Sequence, residues 1–115
     1  MVKIGANGFE FDDPEHHSTT LSKSSSTLTQ NSKRFDISID YSGGGNTLGG
    51  NETQVLTITN NKCNAKDTIV ANIMSNHPLL FLNPHGIGEG SFSLMIRNFG
   101  QPVSNTVDIS FLIVT

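Results

Sequence analysis

The stretch Arg34–Tyr41 reads R-F-D-I-S-I-D-Y, and its alternation of apolar and polar residues decides the fold class. Phe35, Ile37 and Ile39 share one side of an extended chain, and the polar residues between them share the other. This alternation is typical of a strand with one buried face, because successive side chains of a strand point to opposite faces of the sheet. The glycine run at 43–45 is expected to end the strand.

The same alternation recurs along the rest of the chain, over residues 53–60, 67–74, 91–98 and 106–115. The apolar residues on the shared inward phase form the predicted core: Phe35, Ile37, Ile39, Leu56, Ile58, Ile69, Ile73, Phe92, Leu94, Ile96, Val107, Ile109, Phe111 and Ile113. Turns rich in Asn and Gly separate these strands, and no stretch shows helical periodicity. We therefore predict an all-β fold, an antiparallel β-sandwich of the jelly-roll or immunoglobulin-like kind, with a small β-barrel as the alternative.

The segment that precedes the strand at 91–98 has an ambiguous pattern. Pro78 and Pro84 bracket four large apolar residues, a run too short to distinguish a strand from a helix. Proline at both ends favours a position at the edge of a sheet, because proline donates no hydrogen bond to a neighbouring strand. The next stretch, His85–Gly90, has glycine at alternate positions and is predicted to be a loop.

The first part of the chain lacks the strand pattern, and its second half is a tract of Ser and Thr. This composition is typical of an extended arm rather than of a core element. We predict an N-terminal arm over residues 1–32 and a β-sandwich domain over residues 33–115. Ile4, Phe9 and Phe11 are the predicted anchors of the arm on a partner.

Composition limits the classes of function. The net charge is −3, whereas nucleic-acid binding depends on basic charge that displaces counterions, so we expect no nucleic-acid partner. No apolar run reaches the roughly 18 residues of a membrane-spanning helix, so we expect no membrane partner. The single Cys63 excludes an intrachain disulfide. Only 15% of the residues are charged, which is low for a cytosolic enzyme and is associated with extracellular and virion β proteins.

Few residues suggest catalysis or metal binding. Asp12–His17 contains residue types that bind divalent cations, but adjacent side chains of an extended chain point apart, so we interpret the cluster as solvated arm. A metal bound there would be expected at a subunit contact. His77 and His85 have Ser75 nearby but no nucleophile elbow, so we interpret them as loop histidines bonded to the backbone. We predict no catalytic residue, no metal site and no cofactor.

Several apolar residues fall on the outward phase of the strands or in the proline-bracketed run. A small domain buries only one face of each sheet on itself, so a second apolar face predicts a homo-oligomer. The interface candidates are Met74, Leu79, Leu80, Met95 and Leu112.

The second half of the chain carries a more specific pattern. A strand ending in Thr-Asn is followed by D-T-I-V-A-N at 67–72, G-S-F-S-L-M-I-R-N at 90–98 and V-D-I-S-F-L-I-V at 107–114. Over residues 53–115 this order resembles a small β-sandwich module of structural proteins of tailed bacteriophages, marine ones especially, and of some other large DNA viruses.

The resemblance implies a non-enzymatic protein located in the virion, a capsid decoration (cement) or minor capsid protein that attaches through oligomerisation and its N-terminal arm. The implied partners are the major capsid protein or other virion proteins and further copies of the chain, with a trimer expected from the resemblance alone. The alternative is a receptor- or glycan-binding appendage module of a tail fibre or adhesin. The absence of Trp and the single Tyr41 weigh against glycan stacking.

Overall fold

In the described part of the chain, every regular element of secondary structure is a β-strand. The computed structural model describes residues 2–5, 8–11 and 17–115, with side chains described from residue 18 onward. The strands are β1 (Val2–Gly5), β2 (Gly8–Phe11), β3 (His17–Ser22), β4 (Thr27–Thr29), β5 (Arg34–Asp40), β6 (Thr53–Thr59), β7 (Thr68–Ile73), β8 (Leu80–Gly88), β9 (Ser91–Asn98) and β10 (Thr106–Val114).

Eight of these strands form two four-stranded sheets that pack against each other. The first sheet has the strand order β3-β5-β10-β7 and the second has the order β4-β6-β9-β8, while β1 and β2 pair in a two-stranded sheet of their own. The prediction of an all-β sandwich is confirmed, and the sheets do not close into a barrel within the described residues. Pairing is antiparallel except at one edge of each sheet, where β3 lies parallel to β5 and β4 lies parallel to β6.

The core lies between the two sheets and follows the alternation of the sequence. The ring centroid of Phe92 lies 6.0 Å from that of Phe111, which in turn stacks on Phe35 at 4.7 Å. Among the predicted core residues, Ile73 alone is only half-buried, because β7 is an edge strand of the first sheet. The core also contains four apolar residues that the alternation does not identify: Tyr41, Leu48, Cys63 and Leu80.

The sandwich begins earlier than the boundary predicted at residue 33. The Ser/Thr tract supplies β3 to the edge of the first sheet and β4 to the edge of the second, so it is not an extended arm. Leu21 and Leu28, one from each strand, pack against the core. A tract without apolar alternation forms strands here because the edges of β5 and β6 offer backbone groups that need hydrogen-bond partners.

The ambiguous segment forms β8, which is an edge strand as the prolines indicated, and Pro84 lies within it. The strand continues through His85 to Gly88, with a register irregularity between these two residues, so the loop predicted at His85–Gly90 is reduced to a turn after Gly88. Gly86 has a φ of 62°. This left-handed conformation, which glycine adopts without steric cost, accommodates the irregularity within a strand.

Two connections cross between the sheets at one end of the sandwich. One joins β7 to β8 over residues 74–79, and the other joins β9 to β10 over residues 99–105. The backbone N–H of Phe99 donates to the carbonyl oxygen of Leu79 at 3.0 Å, which holds the two connections together. Side chains that leave the strands at this end are therefore brought close together in space.

Candidate interaction surface

Leu79, Phe81, Arg97 and Phe99 form an exposed surface at this end of the second sheet, which we call the aromatic patch. Phe81 on β8 lies opposite Arg97 on β9. The rings of Phe81 and Phe99 meet edge to face, with their centroids 4.9 Å apart. Leu79, Phe81 and Phe99 are each more than half exposed. Contiguous apolar side chains with this exposure are typical of a surface that contacts another molecule.

Gly100 allows Leu79 to join the patch. A Cβ atom placed on Gly100 would lie 2.8 Å from Cδ1 of Leu79 and 2.9 Å from its Cβ, closer than such atoms approach in proteins. Only glycine therefore leaves room for Leu79 to pack against the 99–105 connection, beside Phe99.

Arg97 is the cation of the aromatic patch, and no carboxylate in the described part of the chain pairs with it. Its Cζ atom lies 5.0 Å from the centroid of the Phe99 ring, within the range of a cation–π contact. Its Nε atom is buried and has no hydrogen-bond partner among the described residues. The four strands of the second sheet contain no Asp or Glu. A guanidinium in this position is suited to a partner's carboxylate, which it binds with two parallel hydrogen bonds.

The buried side chain of Asn98 supports the backbone beneath the aromatic patch. Its Nδ2 donates to the carbonyl oxygens of Leu48, Gly49 and Gln101 at 3.0, 3.3 and 2.8 Å. Its Oδ1 accepts a hydrogen bond from the N–H of Gly100 at 2.8 Å. One side-chain amide thus connects the loop before β6 with the connection after β9.

A second surface, which we call the acidic groove, lies on the outer face of the first sheet. Val70, Met74 and Leu112 line it together with Arg34 and Asp36, and Asp108 adjoins it beside Met74. The three apolar residues line an open groove of about 370 Å³. Asp108 lies beside Met74, whose N–H donates to the Asp108 carbonyl oxygen at 2.7 Å. Oδ1 of Asp108 accepts a hydrogen bond from the Ser38 hydroxyl at 2.6 Å. The groove therefore combines an apolar floor with one carboxylate and one cation in its lining, and a second carboxylate, that of Asp108, stands at its Met74 end.

Ser75, His77 and Asn105 form a side-chain network between the two connections. Nδ1 of His77 lies 2.7 Å from Oγ of Ser75, and Nε2 lies 2.8 Å from Oδ1 of Asn105. Oγ of Ser75 also accepts the N–H of Asp108 at 3.1 Å. With Nε2 protonated, His77 donates to Oδ1 of Asn105 and accepts from the Ser75 hydroxyl, so both ring nitrogens are paired. The prediction that His77 bonds to the backbone was wrong, because its ring bonds to side chains that fasten the connections together.

The predicted interface residues occupy different environments. Met74, Leu79 and Leu112 are exposed, and Met95 is half-buried on the outer face of the second sheet. Leu80 is only 5% exposed. It takes the inward phase of β8 and packs in the core, so it is not available to a partner.

Other predicted residues lie outside the described side chains or carry little chemistry. The side chains of the anchors Ile4, Phe9 and Phe11 lie outside the described residues, as does the cluster at Asp12–His17. Burial raises the pKa of the Cys63 thiol, and the charges of nearby Asp67 and Glu89 raise it further. A thiol held in its protonated form is a poor nucleophile.

The described residues also show no metal centre. No group of three or more His, Cys, Asp or Glu side chains among them is arranged to hold a metal ion. None of their segments is a helix of the length and apolar character that a membrane crossing needs. No family model matches the chain, and neither a curated protein nor a solved structure matches it. The function is therefore argued from the two surfaces.

Proposed function

We propose that this chain is a non-enzymatic structural module of a virus particle, a capsid decoration (cement) or minor capsid protein. The observation that carries the proposal is the aromatic patch. Covering its exposed rings against a partner removes apolar surface from water, and that is the main driving force of protein association. Aromatic residues and arginine are also the residue types that contribute most of the binding energy in protein interfaces.

The order of sequence motifs over residues 53–115 supports a viral origin, because it resembles the β-sandwich module of phage and large DNA virus structural proteins described above. The all-β sandwich agrees with that resemblance. In this proposal the chain attaches to the major capsid protein or to another virion protein. Many weak contacts repeated over a particle then give strong attachment, since each bound site raises the effective concentration at the next.

Self-association is part of the proposal. Apolar residues are exposed on both outer sheet faces, such as Phe81 on the second sheet and Val70 on the first. A homo-oligomer, proposed as a trimer, covers part of this surface. The segment before β3 is proposed to act as the attachment arm, with Ile4, Phe9 and Phe11 as its anchors.

Co-sedimentation with viral shells tests the proposal. The chain is co-expressed with the shell proteins encoded by neighbouring genes, and assembled shells are pelleted and analysed. We expect the wild-type chain to pellet with the shells, and attachment to be lost in a Phe81→Ser, Phe99→Ser double variant. Val55→Ser, an apolar-to-polar change elsewhere on the same sheet face, is the matched control and should still attach. A wild-type chain that stays in the supernatant contradicts the proposal.

The second candidate function is a glycan- or receptor-binding appendage module. The exposed rings of Phe81 and Phe99 favour it, because sugars are commonly held on aromatic faces. Against it, the single Tyr41 is fully buried and its hydroxyl donates to Gln54 at 2.7 Å, so it offers no surface for stacking. Binding of the purified chain to a glycan array, abolished by Phe99→Ser, would favour this function over shell attachment.

A further inference from the structure

We infer that the aromatic patch of one copy of this chain docks in the acidic groove of a second copy, so that the copies associate head to tail. The inference rests on the proposed function, because it names the contact through which the structural module forms its oligomer. It is carried by the match between the two surfaces in shape, polarity and charge.

The apolar parts of the two surfaces are complementary. On the patch, Phe81 and Phe99 stand out from the end of the second sheet, each more than half exposed. On the groove, Val70, Met74 and Leu112 line a depression of about 370 Å³. Protruding rings that enter an apolar depression exclude water from both surfaces, which is the arrangement of a binding hot spot.

The charged parts of the two surfaces are also complementary. Arg97 has no carboxylate partner among the described residues, and the strands of the second sheet carry no Asp or Glu. The outward positions of the first sheet instead carry Asp36, Asp40 and Asp108. The cation of one copy therefore finds its counter-charge on the opposite sheet of another copy.

Of these carboxylates, Asp36 lines the groove two residues from Arg34, and Asp108 stands at the end of the groove beside Met74. Asp108 pairs along the first sheet with Ser38 and lies next to Met74, the most exposed of the large apolar residues in the described part of the chain. Its Oδ1 atom accepts a hydrogen bond from the Ser38 hydroxyl at 2.6 Å, which orients the carboxylate. Among the described residues, no donor is hydrogen-bonded to its Oδ2 atom. Arg34 also lines the groove, but it pairs in register with Leu112 and so lies towards the other end from Asp108.

The placement of the surfaces sets the type of assembly. The patch belongs to the second sheet and the groove to the first, so the contact joins unlike surfaces. Contacts of this kind close into a ring or continue as an open stack. A contact of patch with patch would instead place two Arg97 side chains against each other and is disfavoured by their like charges.

Charge exchange tests the inference. Light scattering over a concentration series measures self-association of the wild-type chain, of Arg97→Glu and of Asp108→Arg. We expect the wild-type chain to associate and each single variant to weaken association about thirtyfold or more, as loss of a hot-spot residue does. The double variant with both changes restores the opposite charges across the contact and should recover association. Lys66→Glu and Glu89→Arg make the same charge changes at the far end of the sandwich and should have little effect.

Two further variants separate docking from folding. Asp108→Asn and Arg97→Gln remove the charges with little change of shape, and circular dichroism verifies that all the variants are folded. Both neutral variants should also weaken association. In a patch-to-patch contact Arg97→Gln would remove the repulsion between the two guanidinium groups, so stronger association of that variant overturns the inference.

The remaining outcomes distinguish this inference from the proposed function. A wild-type chain that associates, but whose association is insensitive to Asp108→Arg or is not recovered in the double variant, overturns head-to-tail docking and leaves shell attachment standing. A wild-type chain that remains monomeric but pellets with shells overturns docking and the proposed homo-oligomer, and leaves shell attachment standing. A chain that neither associates nor pellets with shells overturns both.

Discussion

Replacing Asn98 with alanine should lower the free energy of unfolding by about 2–3 kcal/mol. The side chain is buried and bonds to four backbone groups around the base of the aromatic patch. Alanine keeps the strand conformation of the backbone but removes all four hydrogen bonds. The size of the effect depends on which of these groups retain another partner.

Two of the four groups keep a backbone partner in the variant. The carbonyl oxygen of Leu48 also accepts the N–H of Val103 at 2.9 Å, and that of Gly49 also accepts the N–H of Glu52 at 3.1 Å. The remaining two are the carbonyl oxygen of Gln101 and the N–H of Gly100, which lose their bonds to Asn98. An intramolecular hydrogen bond contributes about 1 kcal/mol net, so two complete losses and two partial ones give about 2–3 kcal/mol.

Urea denaturation followed by tyrosine fluorescence measures this change, because the chain has one Tyr and no Trp and Tyr41 is buried. Asn72→Ala is the matched control, since Asn72 is exposed on β7 and, within the described residues, its side chain makes one weak hydrogen bond, to the Met74 sulfur at 4.0 Å. The control should change stability by less than about 0.5 kcal/mol. An equally small effect of Asn98→Ala would refute the reasoning, because it would mean that water replaces the side-chain amide without cost.

Three other perturbations test the packing of the sandwich. Phe92→Ala removes a fully buried ring and should lower the free energy of unfolding by about 3–5 kcal/mol in urea; a loss below about 1 kcal/mol would contradict its place in the core. Burial raises the pKa of the Tyr41 hydroxyl above its ordinary value of 10.0. The unfolded chain therefore releases this proton first, so stability is retained below about pH 10 and falls as the pH rises above it. Tyr41→Phe should reduce that fall in thermal unfolding between about pH 8 and pH 11, and an unchanged pH profile would rule out the Tyr41 contribution. Deletion of residues 1–32 removes β3 and β4 and should lower the midpoint of thermal unfolding; an unchanged midpoint would show that neither edge strand stabilises the sandwich.

The alternation of the sequence was sufficient to predict the central strands and the residues that they bury. In β5, β6, β9 and β10 the inward positions are apolar except for Gln54 and Asn98, and most outward positions are polar, so a register shifted by one residue would expose the whole apolar set. Burial of these side chains is a property of the local pattern because it does not depend on which strand lies opposite. For the same reason the sequence alone indicated the sandwich but not the order of its strands.

The edge strands were less predictable. Leu21 in β3 and Leu28 in β4 are isolated apolar residues in a Ser/Thr tract, and nothing local requires that tract to be extended. It becomes two strands because neighbouring strands present unpaired backbone groups, and only the tertiary structure supplies those. The burial of Leu80 could not be predicted either. A run of four apolar residues does not show which of them faces inward, and the pairing of β8 with β9 decides this.

The sequence by itself determined which segments are strands with one buried face and most of the side chains that fill the space between the sheets, because burial follows a period of two along a single strand. The tertiary structure decided the candidate surfaces. Phe81 belongs to β8 and Phe99 to the connection after β9, and their rings meet through the pairing of β8 with β9 and the close approach of Leu79 to Gly100. Asn98 is buried although most Asn residues of the chain lie in turns, because the carbonyl groups that it joins converge only in the folded chain. Contacts between residues far apart in sequence have no local signal, since the free energy that favours them exists only once the sheets have packed.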